Sequence, residues 1–181
     1  MPITSPSPQL YSLGRGILSI GEWVGTVAPT DPAGYVDVGN CPSFEIEVTE
    51  EKLDHFSSRS GIRLKDKVVV LETGFNLNFS LDEISVANLV MFFRATLSGT
   101  NVLLANTQLD KEFALKFISD NPVGPNEKWQ FWRVQLSPSA AFNLISDEWS
   151  MLTFTGEGLA DTANNPTSPY FTVTYATTTT T

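Results

Sequence analysis

Residue types that perform catalysis or bind metals are scarce in this chain of 181 residues. It contains one histidine, His55, and one cysteine, Cys41. A hydrolytic triad needs a base beside a nucleophile, usually a histidine, and a zinc site needs several nitrogen or sulfur ligands. We therefore predict that the protein is not an enzyme and holds no metal or cofactor, and we interpret His55 as a solvated or interface side chain.

Carboxylates are the remaining candidates for chemistry, because twenty acidic residues stand against eleven basic ones. Two carboxylates could cleave a glycosidic bond as acid and base or nucleophile. Each close pair of acids has a simpler interpretation as a strand face, a helix start or a loop. The pairs are Glu45/Glu47, Glu50/Glu51, Asp82/Glu83 and Asp147/Glu148.

The excess of acidic over basic residues gives the chain a net charge of −9, which disfavours binding to nucleic-acid phosphates.

Two segments alternate between apolar and polar side chains, which is the pattern of strands with one buried face. They are residues 44–48 and residues 75–79, the latter within a strand predicted at 73–79, and a further strand is predicted at 67–71. The apolar face of each belongs in a core, so its polar face points away from that core. The polar positions are Glu45, Glu47, Asn76 and Asn78.

Residues 49–66, between these strands, are charged and rich in hydroxyl side chains. Loops of this length are usually functional or disordered. Residues 50–67 hold five bases and four acids, a sum of +1, which leaves six bases and sixteen acids, or −10, elsewhere. Either the segment is a solvated loop of mixed charge, or it is a long loop that docks on the acidic body of another copy. For the second alternative the contact residues are Glu50, Glu51, Lys52, Asp54, His55, Phe56, Arg59, Arg63 and Lys65.

A single helix is predicted over residues 81–95. Ser80 followed by Glu83 forms a capping box, in which the two side chains satisfy free backbone N–H groups at the helix start. The apolar residues of this segment surround nearly its whole circumference, as in a helix covered on more than one side. Part of that covering could come from a neighbouring subunit.

Several strands with turn signals and one helix predict a mainly β fold, a β-sandwich or barrel with one flanking α-helix. We expect one domain, residues 1–181, with an extended proline-rich arm at residues 1–9 and a flexible tail at 177–181. A lone cysteine excludes an internal disulfide. No apolar run long enough to span a membrane is present, so membrane insertion is not expected.

Four segments occur in the order in which they are found in the major tail tube proteins of long-tailed, siphovirus-like bacteriophages, and the chain resembles this family. They read SLGRGILSIGEWVGT, GNCPSFEIEV, EEKLDHFSSRSGIRLKD and LNFSLDEISVANL. The stretch from Asp54 to Gly61 is the most specific of them. The resemblance covers the amino-terminal half, from about Leu13 to Leu89; within the second segment, Cys41-Pro42 departs from the family's pattern.

The resemblance implies a structural virion protein whose hexameric rings stack into a hollow tail tube that conducts DNA to the host. Segment 49–66 would be an inter-subunit or inter-ring loop. Glu45 and Glu47, with Asn76 and Asn78 as second candidates, would face the lumen and repel phosphates. The implied partners are further copies, a tail terminator, baseplate proteins and a tape-measure protein, in a virion tail assembled in the bacterial host cytoplasm.

Two alternatives remain open. The chain could be another phage structural component, such as a tail terminator, a distal tail protein or a head decoration protein. It could instead be a monomeric β-sandwich that binds carbohydrate by stacking sugars on exposed tryptophans. The candidates for stacking are Trp23, Trp129, Trp132 and Trp149, although Trp132 alternates with Val134 and Leu136 and is more simply a core residue.

Overall fold

The computed structural model describes residues 6–59 and 61–175. It is mainly β, with one α-helix, which confirms the predicted fold class. The elements in chain order are β1 (Gly16–Glu22), β2 (Val36–Asp37), β3 (Ser43–Ser57), β4 (Leu64–Leu81), α1 (Val86–Phe92), β5 (Thr96–Ser98), β6 (Val102–Leu104), β7 (Glu112–Ser119), β8 (Glu127–Pro138), β9 (Leu152–Gly158) and β10 (Phe171–Tyr175).

Eight strands form one antiparallel sheet in the order β2-β1-β7-β8-β9-β4-β3, and β10 pairs with the part of β8 that lies beyond the end of β9. The short β5 and β6 form a separate hairpin. Contacts between aromatic rings on distant strands show that the long sheet curls over itself. Phe44 of β3 lies 5.6 Å from Phe117 of β7, between ring centroids, although three strands separate them in the sheet order.

Aromatic rings fill the space inside this curl. Phe75, Phe79, Phe131 and Phe154 are almost completely buried. Phe79 stacks on Phe154 at 4.8 Å, and Phe75 meets Phe131 at 5.4 Å. Burial of each of these side chains stabilises the folded state by about 1.5–3 kcal/mol. The core is therefore provided by one face of the sheet.

The segment predicted as a loop at 49–66 is instead the outer part of a β-hairpin. β3 continues to Ser57 and β4 begins at Leu64, so only residues 58–63 connect the strands. The strands predicted at 67–71 and 73–79 are parts of this one 18-residue β4. The loop prediction was wrong about conformation because charged side chains on a two-stranded ribbon face solvent on both sides, which removes the alternation by which strands are recognised.

The helix is shorter than predicted and its cap is different. Leu81 was expected to be the first residue of the helix, but it belongs to β4 and pairs with Leu152 of β9. Ser85 is the N-cap, and its hydroxyl accepts from the Asn88 backbone N–H at 3.2 Å.

The assignment of Ser80 and Glu83 to a helix cap is therefore wrong. Ser80 shares a hydrogen bond of 2.7 Å with the Ser43 hydroxyl across the β3–β4 pair. Glu83 lies before the helix, where its backbone carbonyl accepts from the Asn88 side chain at 2.8 Å. A capping box needs helical backbone directly after its serine, and strand pairing prevents that here.

The termini are described in part. Within the predicted arm at residues 1–9, residues 1–5 lie outside the described part of the chain, and Pro8–Leu10 form one turn of 3-10 helix rather than an extended strand. The tail predicted at 177–181 also lies outside it. In residues 6–59 and 61–175, no helix is both long enough and apolar enough to cross a membrane.

Candidate assembly surfaces

The four polar positions predicted on one strand face lie together on the outside of the curled sheet. Glu45 pairs with Asn78 and Glu47 pairs with Asn76 across β3 and β4. Directly opposed residues of an antiparallel pair point to the same face. Their neighbours Phe44, Ile46, Leu77 and Phe79 point to the core instead. The sequence pattern thus located this face correctly; that it lines a lumen stays a prediction.

This outward face extends across further strands than the sequence indicated. Asn76 pairs with Glu157 of β9, Glu157 with Gln135 of β8, and Gln135 with Glu112 of β7. A polar row therefore crosses five adjacent strands. We call it, with the parallel row one pair along, the acidic face: Glu45, Glu47, Asn76, Asn78, Thr155, Glu157, Gln135, Ser137 and Glu112.

One cation balances the end of this face. The Arg133 guanidinium contacts both carboxylate oxygens of Glu112, one of them at 2.9 Å. The hydrogen bond to Glu112 raises the pKa of Arg133 above its ordinary value, so the guanidinium stays charged throughout the physiological range. Glu45, Glu47 and Glu157 are exposed and have no such ion pair among the described residues. The face therefore presents net negative charge.

Beyond the acidic face, the β3–β4 hairpin leaves the body as a two-stranded ribbon, residues 49–74. β4 pairs with β9 only from Asn76 onward, so the ribbon strands pair with each other alone. At a strand rise of about 3.3 Å per residue, the β3 part of the ribbon projects about 30 Å. Isolated two-stranded hairpins are at best marginally stable in water.

The ribbon exposes apolar side chains on both of its faces. Val68, Val69, Val70 and Leu71 form a continuous run, each 44–54% exposed. A continuous run of aliphatic residues is typical of strands covered on both faces. Opposite Val69 on the partner strand, Leu53 is 58% exposed. Nothing in this chain's described part covers these side chains.

Charges alternate with apolar residues toward the end of the ribbon. Arg63 stacks over the Phe56 ring at 5.0 Å, and Lys65 pairs with Asp54 at 2.7 Å. His55 lies 2.6 Å from Asp66 and is exposed. Ion pairs this exposed contribute little to stability. The end of the ribbon is basic, whereas at its base Glu50, Glu51 and Glu72 line a polar cleft of about 410 Å³.

The candidates for covalent chemistry lie apart. Cys41 precedes β3 and His55 stands at its far end. Burial raises the pKa of the Cys41 thiol to about 11, so at neutral pH it is protonated and a poor nucleophile. Within residues 6–59 and 61–175, no group of three or more His, Cys, Asp or Glu side chains could hold a metal ion.

The tryptophans form no common platform for stacking sugars. Trp23 is buried and donates to the Trp132 carbonyl at 2.8 Å, and Trp132 itself donates to the Ser168 carbonyl at 2.8 Å. Trp129 stacks between core rings. The alternation that placed Trp132 in the core was wrong, because Phe131 and Val134 are the completely buried residues there. Trp149 stands alone at 94% exposure.

Two apolar surfaces were not predicted from the sequence. The connection at residues 139–151 exposes Leu144, Ile145 and Trp149 almost completely. A groove between α1 and the β1–β2 pair is lined mainly by aliphatic side chains. Both depend on tertiary packing that leaves the residues uncovered, which no local pattern reports. Patches of this kind are typical of contact sites between proteins.

The loop beside the groove is held by an ion cluster at the surface of the sheet. Lys116 of β7, nearly buried, lies 2.5 Å from Asp31, and Lys128 of β8 lies 2.7 Å from the other oxygen of that carboxylate. The hydrogen bond from Lys116, followed by that from Lys128, lowers the pKa of Asp31 below its ordinary 3.8. Desolvation raises the pKa of the neighbouring Tyr35. This cluster fixes residues 29–35 on the sheet.

Comparison with solved structures finds distant likenesses of the whole fold. A chain of the sheath–tube complex of the PVC extracellular contractile injection system, in its extended state, has 10% identity and a TM-score of 0.42, covering 96% of this chain and 95% of that chain. A chain of the anti-feeding prophage cap, which terminates the tube, has 13% identity and a TM-score of 0.41, covering 97% and 100%. Likenesses this distant carry no inference about function.

Sequence comparison gives a family. Among proteins with curated functions, none matches this sequence. One family model matches residues 11–102 and 96–174, which together span most of the chain. The matched ranges include the acidic face, the ribbon, α1 and the groove. The chain belongs to the family described as Protein of unknown function UCP028589.

Proposed function

We propose that the protein is the structural subunit of a hollow tube in a phage tail or a phage-like tail. Copies assemble into hexameric rings, the rings stack, and the lumen conducts DNA toward the host. The observation that carries this proposal is the ribbon, because it projects about 30 Å from the body with aliphatic side chains uncovered on both faces. Extended exposed apolar surface of this kind is typical of sites that contact another molecule.

A second copy is the partner that explains the ribbon most simply. Among residues 49–59 and 61–74, no strand pairing joins the ribbon to the body, and at the ribbon's base the Tyr170 hydroxyl donates to the Thr73 carbonyl at 2.7 Å. A contact between different surface patches of identical chains is heterologous, and it closes into rings or continues into filaments. The sequence resemblance to tail tube proteins supports the combination of both.

The acidic face is proposed to line the lumen. Its exposed carboxylates, Glu45, Glu47 and Glu157, lie on strands whose other face is the core. Six copies would carry a formal charge of 6 × −9, about −54. Repulsion between this surface and phosphates would leave DNA without a strong binding site along its path. The protein would thus guide DNA without holding it.

The proposal is tested by electron microscopy of the purified full chain over a range of concentrations. We expect rings with a central channel, and stacked rings or tubes as the concentration rises. The matched control is a chain in which Asn-Gly replaces residues 52–71, since this dipeptide closes a two-residue hairpin turn. Particles of monomer size at every concentration for the unaltered chain would contradict the proposal.

A further inference from the structure

The groove between α1 and the β1–β2 pair is an apolar concavity on the surface of the body. It has a volume of about 750 Å³, within the range of pockets that enclose a ligand or several side chains. Buried residues, among them Val38, Met91 and Phe113, form its floor. Val36 and Val86 stand on opposite walls with 65% and 48% exposure. The groove is therefore formed but uncovered.

Acids surround the apolar floor. Glu22, Asp37 and Glu83 line the groove together with a single base, Lys111. Lys111 lies 2.7 Å from Glu22, which leaves Asp37 and Glu83 as the negative charges of the rim. A segment that combines aliphatic side chains with positive charge would satisfy both parts of this surface.

The end of the ribbon has that composition. Ile62 and Leu64 are 71% and 61% exposed, and Arg63 stands between them. Arg63 forms no ion pair within the part of the chain that the structure describes; its guanidinium lies over the Phe56 ring. The opposite acidic cleft at the ribbon base offers carboxylates but little apolar surface, so it suits Ile62 and Leu64 poorly.

Groove and ribbon end lie at opposite ends of the same hairpin. The groove includes Val38, shortly before β3 begins, and Glu83, shortly after β4 ends. The connecting residues 58–63 lie at the far end of the 15-residue β3, about 45 Å away along the strand. A chain cannot place its own ribbon end in its own groove, whereas a second copy displaced along the hairpin direction can.

We propose that the ribbon end of one copy, residues 61–65, occupies the acid-rimmed apolar groove beside α1 of a second copy. Ile62 and Leu64 contact the aliphatic floor, and Arg63 faces Glu83. Because donor and acceptor surfaces differ and lie at opposite ends, the contact is head-to-tail and repeats from copy to copy. This rests on the proposed tube function and identifies the receptor of its projecting ribbon.

Disulfide trapping tests the contact in the full chain. A Cys41→Ser background carries Ile62→Cys with Val86→Cys, and mild oxidation is followed by denaturing electrophoresis. We expect a ladder of covalent oligomers. Two comparison pairs, Ile62→Cys with Glu72→Cys at the acidic cleft and Ile62→Cys with Val123→Cys on an exposed loop, should give none. A ladder from the Glu72 pair and none from the Val86 pair would overturn the groove assignment.

Charge exchange gives an independent readout. Arg63→Glu and Glu83→Arg alone should each raise the concentration needed for assembly by about tenfold or more, since like charges then meet. The double variant should return it to within about threefold of the unaltered chain. Failure of that rescue would overturn the contact.

Microscopy of the same samples separates the two proposals. Tubes without a Val86-dependent ladder would overturn the groove assignment and leave the tube function standing. A Val86-dependent ladder without tubes would support the contact and contradict the tube. Absence of both would overturn both proposals.

Discussion

The body and the ribbon of this molecule are built from the same two strands, yet they satisfy their apolar residues differently. In the body, Phe79 of β4 stacks on Phe154 and is buried inside the curl of the sheet. In the ribbon, Val69 of the same β4 is 44% exposed. β4 stays paired with β3 through both regions, but in the ribbon it loses its pairing with β9, and its surroundings change from core to solvent. From this difference we infer that contacts outside the chain supply the ribbon's stability, as the proposed assembly requires.

The largest loss of stability is expected when an aromatic ring is removed from the core of the body. Phe131→Ala should lower the free energy of unfolding by about 3–5 kcal/mol, because it deletes a completely buried side chain and leaves a cavity. Val69→Ala in the ribbon should change it by no more than about 0.5 kcal/mol in the dilute monomer. Urea unfolding at low protein concentration measures both, and equal losses would contradict the distinction between the regions.

An intermediate effect is expected at the ion cluster that fixes residues 29–35. Asp31→Asn should cost about 1–3 kcal/mol, since it removes the charged partner of the nearly buried Lys116. The folded-state pKa of Asp31 is lowered, so this contribution is present above pH 3.8 and is lost as pH falls through the lower folded value.

Urea unfolding at pH 7 and near pH 3 checks the sign. The difference between the unaltered chain and Asp31→Asn should shrink toward acid. The exposed carboxylate Asp110, changed to Asn, is the control and should show little difference at either pH. A difference that grows on acidification would show that Asp31 is not stabilised as a carboxylate.

Removing the ribbon should affect assembly far more than folding. In the Asn-Gly replacement of residues 52–71, the body keeps every strand pair between β4 and β9. We expect unfolding of the dilute monomer to change by less than about 0.5 kcal/mol, with loss of all rings and tubes by microscopy and sedimentation. Tubes formed by the shortened chain would show that the ribbon is not the connecting element.

The smallest effect on stability is expected at the acidic face. Glu47→Lys with Glu157→Lys should leave folding and assembly unchanged, because both side chains are exposed. The assembled tubes should gain salt-dependent affinity for DNA. Asp110→Lys with Asp120→Lys makes the same change of charge elsewhere and should not confer it. Equal DNA binding by the two variants would contradict the proposal that the acidic face lines the lumen.

The sequence predicted a feature correctly where the burial of its side chains follows a pattern within one short segment. Alternation located β3 and β4 and the outward placement of Glu45, Glu47, Asn76 and Asn78, because a strand packed on one side imposes period two. The same argument failed for the ribbon, since neither face is covered by this chain. It also failed at Trp132, where a shift of register between β7 and β8 puts Phe131 and Val134 on one face.

Features set by contacts between distant residues were out of reach. Ser80 and Glu83 have the spacing of a capping box, but Leu81 pairs with Leu152 of β9 and is therefore in a strand. This pairing joins residues that are far apart in the chain. The groove beside α1 brings β1, β2 and the helix together. The exposure of Trp149 likewise depends on what fails to pack over residues 139–151. No window of sequence contains that information.

Hydrogen exchange of the backbone amides, compared between dilute monomer and assembled protein, tests the central claim most directly. The account predicts that amides paired within residues 49–74 exchange rapidly in the monomer while those of β8 and β9 are protected. On assembly the ribbon amides should slow by about a hundredfold or more. Ribbon amides as slow as those of β8 and β9 in the dilute monomer would contradict it.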